Sequence, residues 1–163
     1  MNSISLRPSV RPLLFALLTI LSLATGCKTS GSADEVDPRD QYIGTYDGGY
    51  QASTFVNNSR ESNRETGTVS VAITKTQVAN QLYFNITFNG ATKQTLTAEL
   101  NGNAFTIIDK QSESFIYDGQ SINGTYKASG QFTDNVLALN TVVENLDGGV
   151  TVTRRGAITG TKK

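Results

Sequence analysis

From residue 41 onward the chain alternates apolar and polar positions with period two, the pattern of strands that bury one face. Val69, Val71 and Ile73 alternate with Thr68, Ser70, Ala72 and Thr74, and Leu82, Phe84, Ile86 and Phe88 alternate with Tyr83, Asn85 and Thr87. The same spacing runs through Leu96, Ala98 and Leu100, through Phe105 and Ile107, through Leu137, Leu139, Thr141 and Val143, and through Val150 and Val152. No stretch of this region carries a helical period. Strands are predicted near 42–54, 66–75, 82–88, 92–100, 104–109, 122–132, 136–144 and 149–160, with 113–117 as a ninth short piece.

Turn residues punctuate these runs: Asp47-Gly48-Gly49, Asn89-Gly90, Asn101-Gly102-Asn103, Asp118-Gly119, Asp134-Asn135 and Asp147-Gly148-Gly149. Asn89-Gly90 lies directly between two alternating runs and predicts a tight hairpin, since both central residues must adopt positive φ. Short connections force antiparallel neighbours, so the expected fold is all-β: an up-and-down meander of about eight strands closed, or nearly closed, into a small barrel. A two-sheet β-sandwich is the competing architecture. Gly124 and Gly130, within one strand, predict bends or bulges. The polar stretch from Ser53 to Thr66 reads as a surface loop, or alternatively as a mobile lid at a barrel mouth.

The first 40 residues follow another pattern. Arg7 and Arg11 precede an uncharged apolar run from Leu13 to Ala24. The run is too short for a permanent membrane span, which needs about 20 residues, and it reads as a cleaved signal. It ends in Leu23-Ala24-Thr25-Gly26-Cys27, which resembles a bacterial lipobox, with Leu one place earlier than usual. Cleavage between Gly26 and Cys27 would leave Cys27 as the lipid-bearing first residue of the mature chain. Cys27 is the only cysteine, so no intramolecular disulfide can form, and a lone thiol in an exported chain is otherwise a liability. Lys28 follows it, and the aspartate associated with inner-membrane retention is absent, which points to the outer membrane, on either its periplasmic or its surface side. Residues 27–40 read as a flexible tether. Its acids Asp34, Glu35, Asp37 and Asp40 suit a solvated linker, or alternatively a surface-export signal. The predicted organisation is therefore signal 1–26, lipidated tether 27–40 and β domain 41–163.

Loss of residues 1–26 lowers the basic count from 14 to 12 against 14 acids, a net charge of about −2. No basic field remains for nucleic acid. The absence of histidine excludes His-dependent triads, His metal sites and imidazole bases. Catalysis would have to rest on groups such as Glu99, Asp109, Glu113, Asp118, Asp134 and Glu144, most of them at turns or on outward positions. Neither Asp-Gly-Gly run has the alternating oxygen ligands of a calcium loop. We expect no enzyme activity, no cofactor and no metal.

Gly44-Thr45-Tyr46 on the first strand, with Arg154-Arg155 on the last, resembles the lipocalin-like (calycin) superfamily, with Tyr46 in place of the usual tryptophan. The resemblance covers most of residues 41–160. It implies that Tyr46 and Arg154 pack together as a barrel-closing pair. Pro38-Arg39-Asp40, Gly124, Gly130 and Asn135-Val136-Leu137-Ala138-Leu139 are similar to small lipocalin-like lipoproteins of Gram-negative bacteria, which offer no catalytic residues to carry over. Two functions follow as expectations. One is an outer-membrane-anchored module whose barrel binds a small apolar ligand. The other is an accessory envelope lipoprotein with a solid barrel that acts through an envelope protein partner. Bulky inward positions such as Phe84, Ile86, Phe88, Phe105 and Tyr126 lean towards a filled core.

Overall fold

A computed structural model describes residues 36–163, the side chains of Arg60 and Asp147 excepted. The predicted signal segment, Gly26, Cys27 and the tether through residue 35 lie outside the described residues. Residues 37–163 form one compact unit. A 3₁₀ turn, Asp40–Tyr42, leads into nine strands: β1 Gly44–Val56, β2 Arg60–Lys75, β3 Gln81–Phe88, β4 Thr92–Asn101, β5 Ala104–Ile107, β6 Ser112–Tyr117, β7 Gln120–Thr133, β8 Val136–Asp147 and β9 Val150–Lys162.

All ladders are antiparallel. β1 to β5 follow in order, β6 to β9 follow in order, β1 pairs with β9, and β5 also pairs with β7. The ring β1-β2-β3-β4-β5-β7-β8-β9 is thus an eight-stranded closed barrel, and β6 is one extra strand. Both β5 and β6 lie along the same side of β7: Ala104–Thr106 opposite Ser129–Gln131, and Ser112–Tyr117 opposite Gln120–Thr125. They read as one barrel strand broken at residues 108–111. The expected closed meander is present, the predicted piece at 113–117 is β6, and the sandwich alternative is excluded. Among the described residues the closed sheet and its core lie within residues 37–163, a compact unit with a hydrophobic core of its own, as a domain that folds alone requires.

The hairpins use the turn chemistry their sequences suggest. Asn89-Gly90 has φ of 49° and 69°, and Asp118-Gly119 has 51° and 73°, the left-handed pairs that match strand twist. The first hairpin differs from expectation. Residues 53–66 form no loop: β1 and β2 continue to Val56 and Arg60, and Asn57 and Asn58, at φ 48° and 59°, make the turn. These arms alternate without an apolar face because their inward positions, Thr54 and Glu65 among them, are polar, so their periodicity is silent. Asp47-Gly48-Gly49 is likewise no turn and sits inside β1. A Cβ on Gly48 would lie 1.9 Å from the Thr159 carbonyl oxygen, so glycine here serves a close backbone approach. At Gly130 the β7–β8 register is unbroken and there is no bulge; the Phe105 ring occupies the space where a Cβ would be.

The core is unevenly distributed. At the end where β1 starts and β9 finishes, Tyr42, Tyr46, Phe84, Phe105 and Phe132 fill the barrel. Tyr42 stacks on Phe132 at 4.3 Å between centroids, and Phe105 contacts Phe132 at 5.1 Å and Phe84 at 4.8 Å. Such pairs add about 0.5–1.5 kcal/mol each beyond area burial. The segment before β1 seals this end. Arg39 is buried, its Nη1 donating to the carbonyls of Thr76, Val78 and Gln81 in the β2–β3 connection, its Nε and Nη2 to Asp37. Lys75 pairs with both Asp37 and Asp40. Residues 37–40, expected in the flexible tether, therefore belong to the folded domain, because a buried guanidinium satisfies carbonyls that the loop leaves over.

Candidate functional site

At the opposite end the inward positions become smaller or polar. Ala52, Thr141 and Gly156 line the same wall that large rings fill below, and a cavity of about 290 Å³ results. This lies near the lower bound for small-molecule sites. Its floor is apolar, from Ile86, Leu96, Leu139, Val143 and Ile158; its rim is polar, from Glu65, Asn89, Thr92, Gln94, Glu113 and Arg154. The filled core towards which the bulky inward positions lean is thus present in only one half of the barrel.

One ion pair stands at this rim, and a second touches it through its acidic member, Glu113. Arg154 Nη2 lies 2.7 Å from Glu65 Oε2. Arg154 is on β9 opposite Thr54, and Glu65 on β2 is opposite Ala52, so the guanidinium reaches across β1 where Ala52 leaves room. Lys110 Nζ lies 2.9 Å from Glu113 Oε2 and 4.5 Å from the Tyr126 ring centroid. Tyr126 faces the interior, and burial, followed by the negative charges of Glu113 and Asp109, raises its phenol well above the usual tyrosine range. It is a neutral hydroxyl at any ordinary pH. Tyr50 meets Phe88 edge-on at 5.0 Å, and its hydroxyl accepts a hydrogen bond from Asn89 Nδ2 at 3.2 Å.

The cavity also reaches the side wall. β5 pairs with β4 only over Ala98–Asn101, and β6 pairs with β7 alone, so among the described residues the β4 edge from Thr92 to Leu96 has no strand beside it. Ile108 N donates to Thr97 O, and Thr97 N donates to the Asp109 carboxylate at 2.8 Å. Asp109 thus takes the place of the next ladder partner and ends the pairing. Thr92 and Gln94 on one side of this seam and Glu113 on the other all line the cavity.

The proposed Tyr46–Arg154 pair is not brought together. Tyr46 is fully buried at the filled end, opposite Lys162, and its hydroxyl donates to the Tyr42 carbonyl at 3.1 Å. Arg154 lies opposite Thr54, eight positions further along β1 and roughly 26 Å away at 3.3 Å per residue. The ring that packs on Tyr46 is Phe132, at 5.9 Å, and the aromatic under Arg155 is Phe55. Among the predicted carboxylates, Glu113 lines the cavity, Asp109 caps Thr97, Glu99 accepts from Asn80, Asp118 and Asp134 occupy left-handed turn positions, and Glu144 is exposed. Glu65 was missed. It shares parity with Val69 and Val71, which would have marked it as inward had β2 been extended that far. Gly148 and Gly149, at φ 56° and 83°, form the expected turn. Among the described residues no group of three or more acidic, His or Cys side chains converges as a metal site, and no helix is long and apolar enough to cross a membrane.

No protein family model matches this chain, and no curated protein matches it. Eight solved chains do. One is a protein of unknown function from the DUF3598 family of Nostoc punctiforme PCC 73102, at 18% identity and a TM-score of 0.44, the match covering 76% of this chain and 48% of that one. A second is a mutant of the vaccine antigen Transferrin Binding Protein B from Haemophilus parasuis Hp5, at 20% identity and a TM-score of 0.43, covering 73% and 26%. A third is intact Ap-TbpB with its N and C lobes, at 20% identity and a TM-score of 0.33, again covering 73% and 26%. The chain therefore spans about half the length of the first and about a quarter of the others.

Proposed function

We propose that this chain is an envelope lipoprotein whose barrel binds a small, largely apolar ligand in its open half. The observation that carries the binding reading is the asymmetry of the interior: a closed barrel plugged by aromatic rings at one end holds a cavity of about 290 Å³, apolar below and polar above, at the other. Side chains alone can fill a barrel of eight strands, so an unfilled half is a feature of this sequence and not of strand number. Among the described residues of the rim no nucleophile is hydrogen-bonded to a base, and we read the site as one for binding. Native mass spectrometry of the protein isolated from its host tests this: a stoichiometric small-molecule adduct, lost when Ala52→Leu fills the cavity, is expected. A clean apo mass, with protein partners recovered by crosslinking, would favour the accessory role.

The anchor is the second half of the proposal and rests on the sequence Leu23-Ala24-Thr25-Gly26-Cys27 after an apolar run. Lipid on Cys27 would place the barrel at the outer membrane, and two or three acyl chains would hold it stably. Palmitate labelling is the test. The parent chain should take up label and sediment with membranes, and Cys27→Ser should do neither.

A further inference from the structure

We infer that the ligand of this cavity carries an uncharged polar head, so that the site selects fatty amides or similar neutral amphiphiles over fatty acids and amines. The inference rests on the binding reading above and adds to it the chemistry of the head group.

Arg154, the basic side chain that lines the cavity among the described residues, and Lys110, which lies beside it, are both already engaged by carboxylates. Arg154 is held by Glu65, and Lys110 by Glu113 and the Tyr126 ring. A third carboxylate, Asp109, is bound to the Thr97 amide at the seam. A ligand carboxylate seeking Arg154 would have to displace Glu65 and would leave that charge beside its own, with Glu113 and Asp109 adding further repulsion. An ammonium would have to displace Arg154 or Lys110 from its partner. The Arg154–Glu65 pair is half exposed, so the exchange costs little in desolvation, but it gains nothing either: one carboxylate replaces another on Arg154, and the displaced charge stays beside the ligand's own.

Neutral polar groups, by contrast, are available. The Gln94 amide faces the cavity and, among the described residues, makes no side-chain hydrogen bond; it offers both a donor and an acceptor. The Tyr126 phenol stays protonated, and the Thr92 and Thr141 hydroxyls line the same space. A head with one donor and one acceptor would use these groups without disturbing either ion pair. The chain would lie on Ile86, Leu96, Leu139 and Ile158.

The experiment uses the barrel domain, residues 37–163, and three ligands with one chain and different heads: decanamide, decanoic acid and decylamine, followed by protein-detected NMR titration. Decanamide should bind about tenfold or more tightly than either charged analogue. Glu65→Gln keeps the shape of the Arg154 partner and removes its charge. In that variant decanoic acid should gain by more than the amide's lead in the parent domain, well over tenfold, and overtake the amide, because Arg154 is then an unneutralised cation facing the ligand. An acid or amine that binds the parent domain as tightly as the amide would overturn the head-group inference while leaving the binding reading in place, and so would an unchanged ranking in Glu65→Gln. Absence of binding by all three to a folded domain would remove both.

Discussion

The two ends of this barrel are made from the same strands and differ in what those strands point inward. At the filled end β7 contributes Phe132, β3 contributes Phe84 and β1 contributes Tyr46, all essentially inaccessible to water. At the open end the same strands contribute Tyr126 and, on β1, Ala52, and a neighbouring strand contributes Gly156. Apart from the seam between β4 and β6 at the open end, the backbone ladders continue through both regions, so side-chain volume is what mainly distinguishes them. Close packing at one end supplies stability, and the other end is thereby free to hold an unfilled space and paired charges. The lesson is a division of labour along the barrel axis.

That comparison is most easily broken by truncating the plug. Phe132→Ala should destabilise the domain by about 3–5 kcal/mol, since its ring contacts Tyr42, Tyr46, Phe84 and Phe105, and a thermal or urea melt measures it. Leu137 and Leu139 sharpen the contrast. They are two residues apart on one face of β8 and equally buried, but only Leu139 lines the cavity. Leu137→Ala should cost about 3–4 kcal/mol and Leu139→Ala about 1 kcal/mol less, because part of the Leu139 surface has no packing partner to lose. Equal costs would show that the cavity is occupied or collapsed in solution.

Enlargement should reverse the pattern. Ala98→Leu, at the filled end, should cost about 1–3 kcal/mol through overpacking. Ala52→Leu should cost less, about 1 kcal/mol, since part of the added side chain grows into the cavity while the Arg154–Glu65 pair that crosses Ala52 has to shift. At the plug itself, Tyr46→Phe removes one hydroxyl bonded to the Tyr42 carbonyl and should cost about 1 kcal/mol with the ring packing intact.

The smallest effect is electrostatic and belongs to the filled end. Hydrogen bonds from the Arg39 side chain and amide, with Lys75 beside them, hold the Asp37 carboxyl well below the usual carboxylate range. Its folded value being depressed, the unfolded chain takes up the proton first. The stabilisation is therefore complete above the unfolded value near 3.8 and is lost as pH falls below it. Asp37→Asn should flatten the acid limb of a stability–pH profile and lower stability slightly at neutral pH. An unchanged acid limb would mean that the Arg39–Asp37 contact does not persist in solution.

Much of the fold was legible from alternation, and the particular failures share one cause. Strands β3, β4, β5 and β8 were readable because each has one apolar face, and Asn89-Gly90 was readable because few dipeptides accept two left-handed residues. The arms of the first hairpin, residues 53–66, carry no apolar period because their inward positions, Thr54 and Glu65 among them, are polar. Gly48 and Gly49 signalled a turn, but neighbouring backbone packs against Gly48 in mid-strand. Arg39 looked like linker, and only its three carbonyl acceptors from the β2–β3 connection show that it is a clamp. In the candidate site Tyr126, Ile86 and Phe88 were named as inward, whereas Glu65 was not, and Arg154 was assigned to the wrong end.

By itself, then, the sequence determined the class of fold, the antiparallel order, most strand positions and the lipobox-like context of Cys27, since each of these is written in local spacing. Only the tertiary structure decided which inward residues meet. Closure of the ring sets the stagger between β1, β2 and β9, and that stagger sends Tyr46 to the plug and brings Arg154 within reach of Glu65 at the mouth. A period-two pattern says which way a side chain faces but not how far along the barrel its neighbour stands. The cavity and its paired charges belong to that second coordinate.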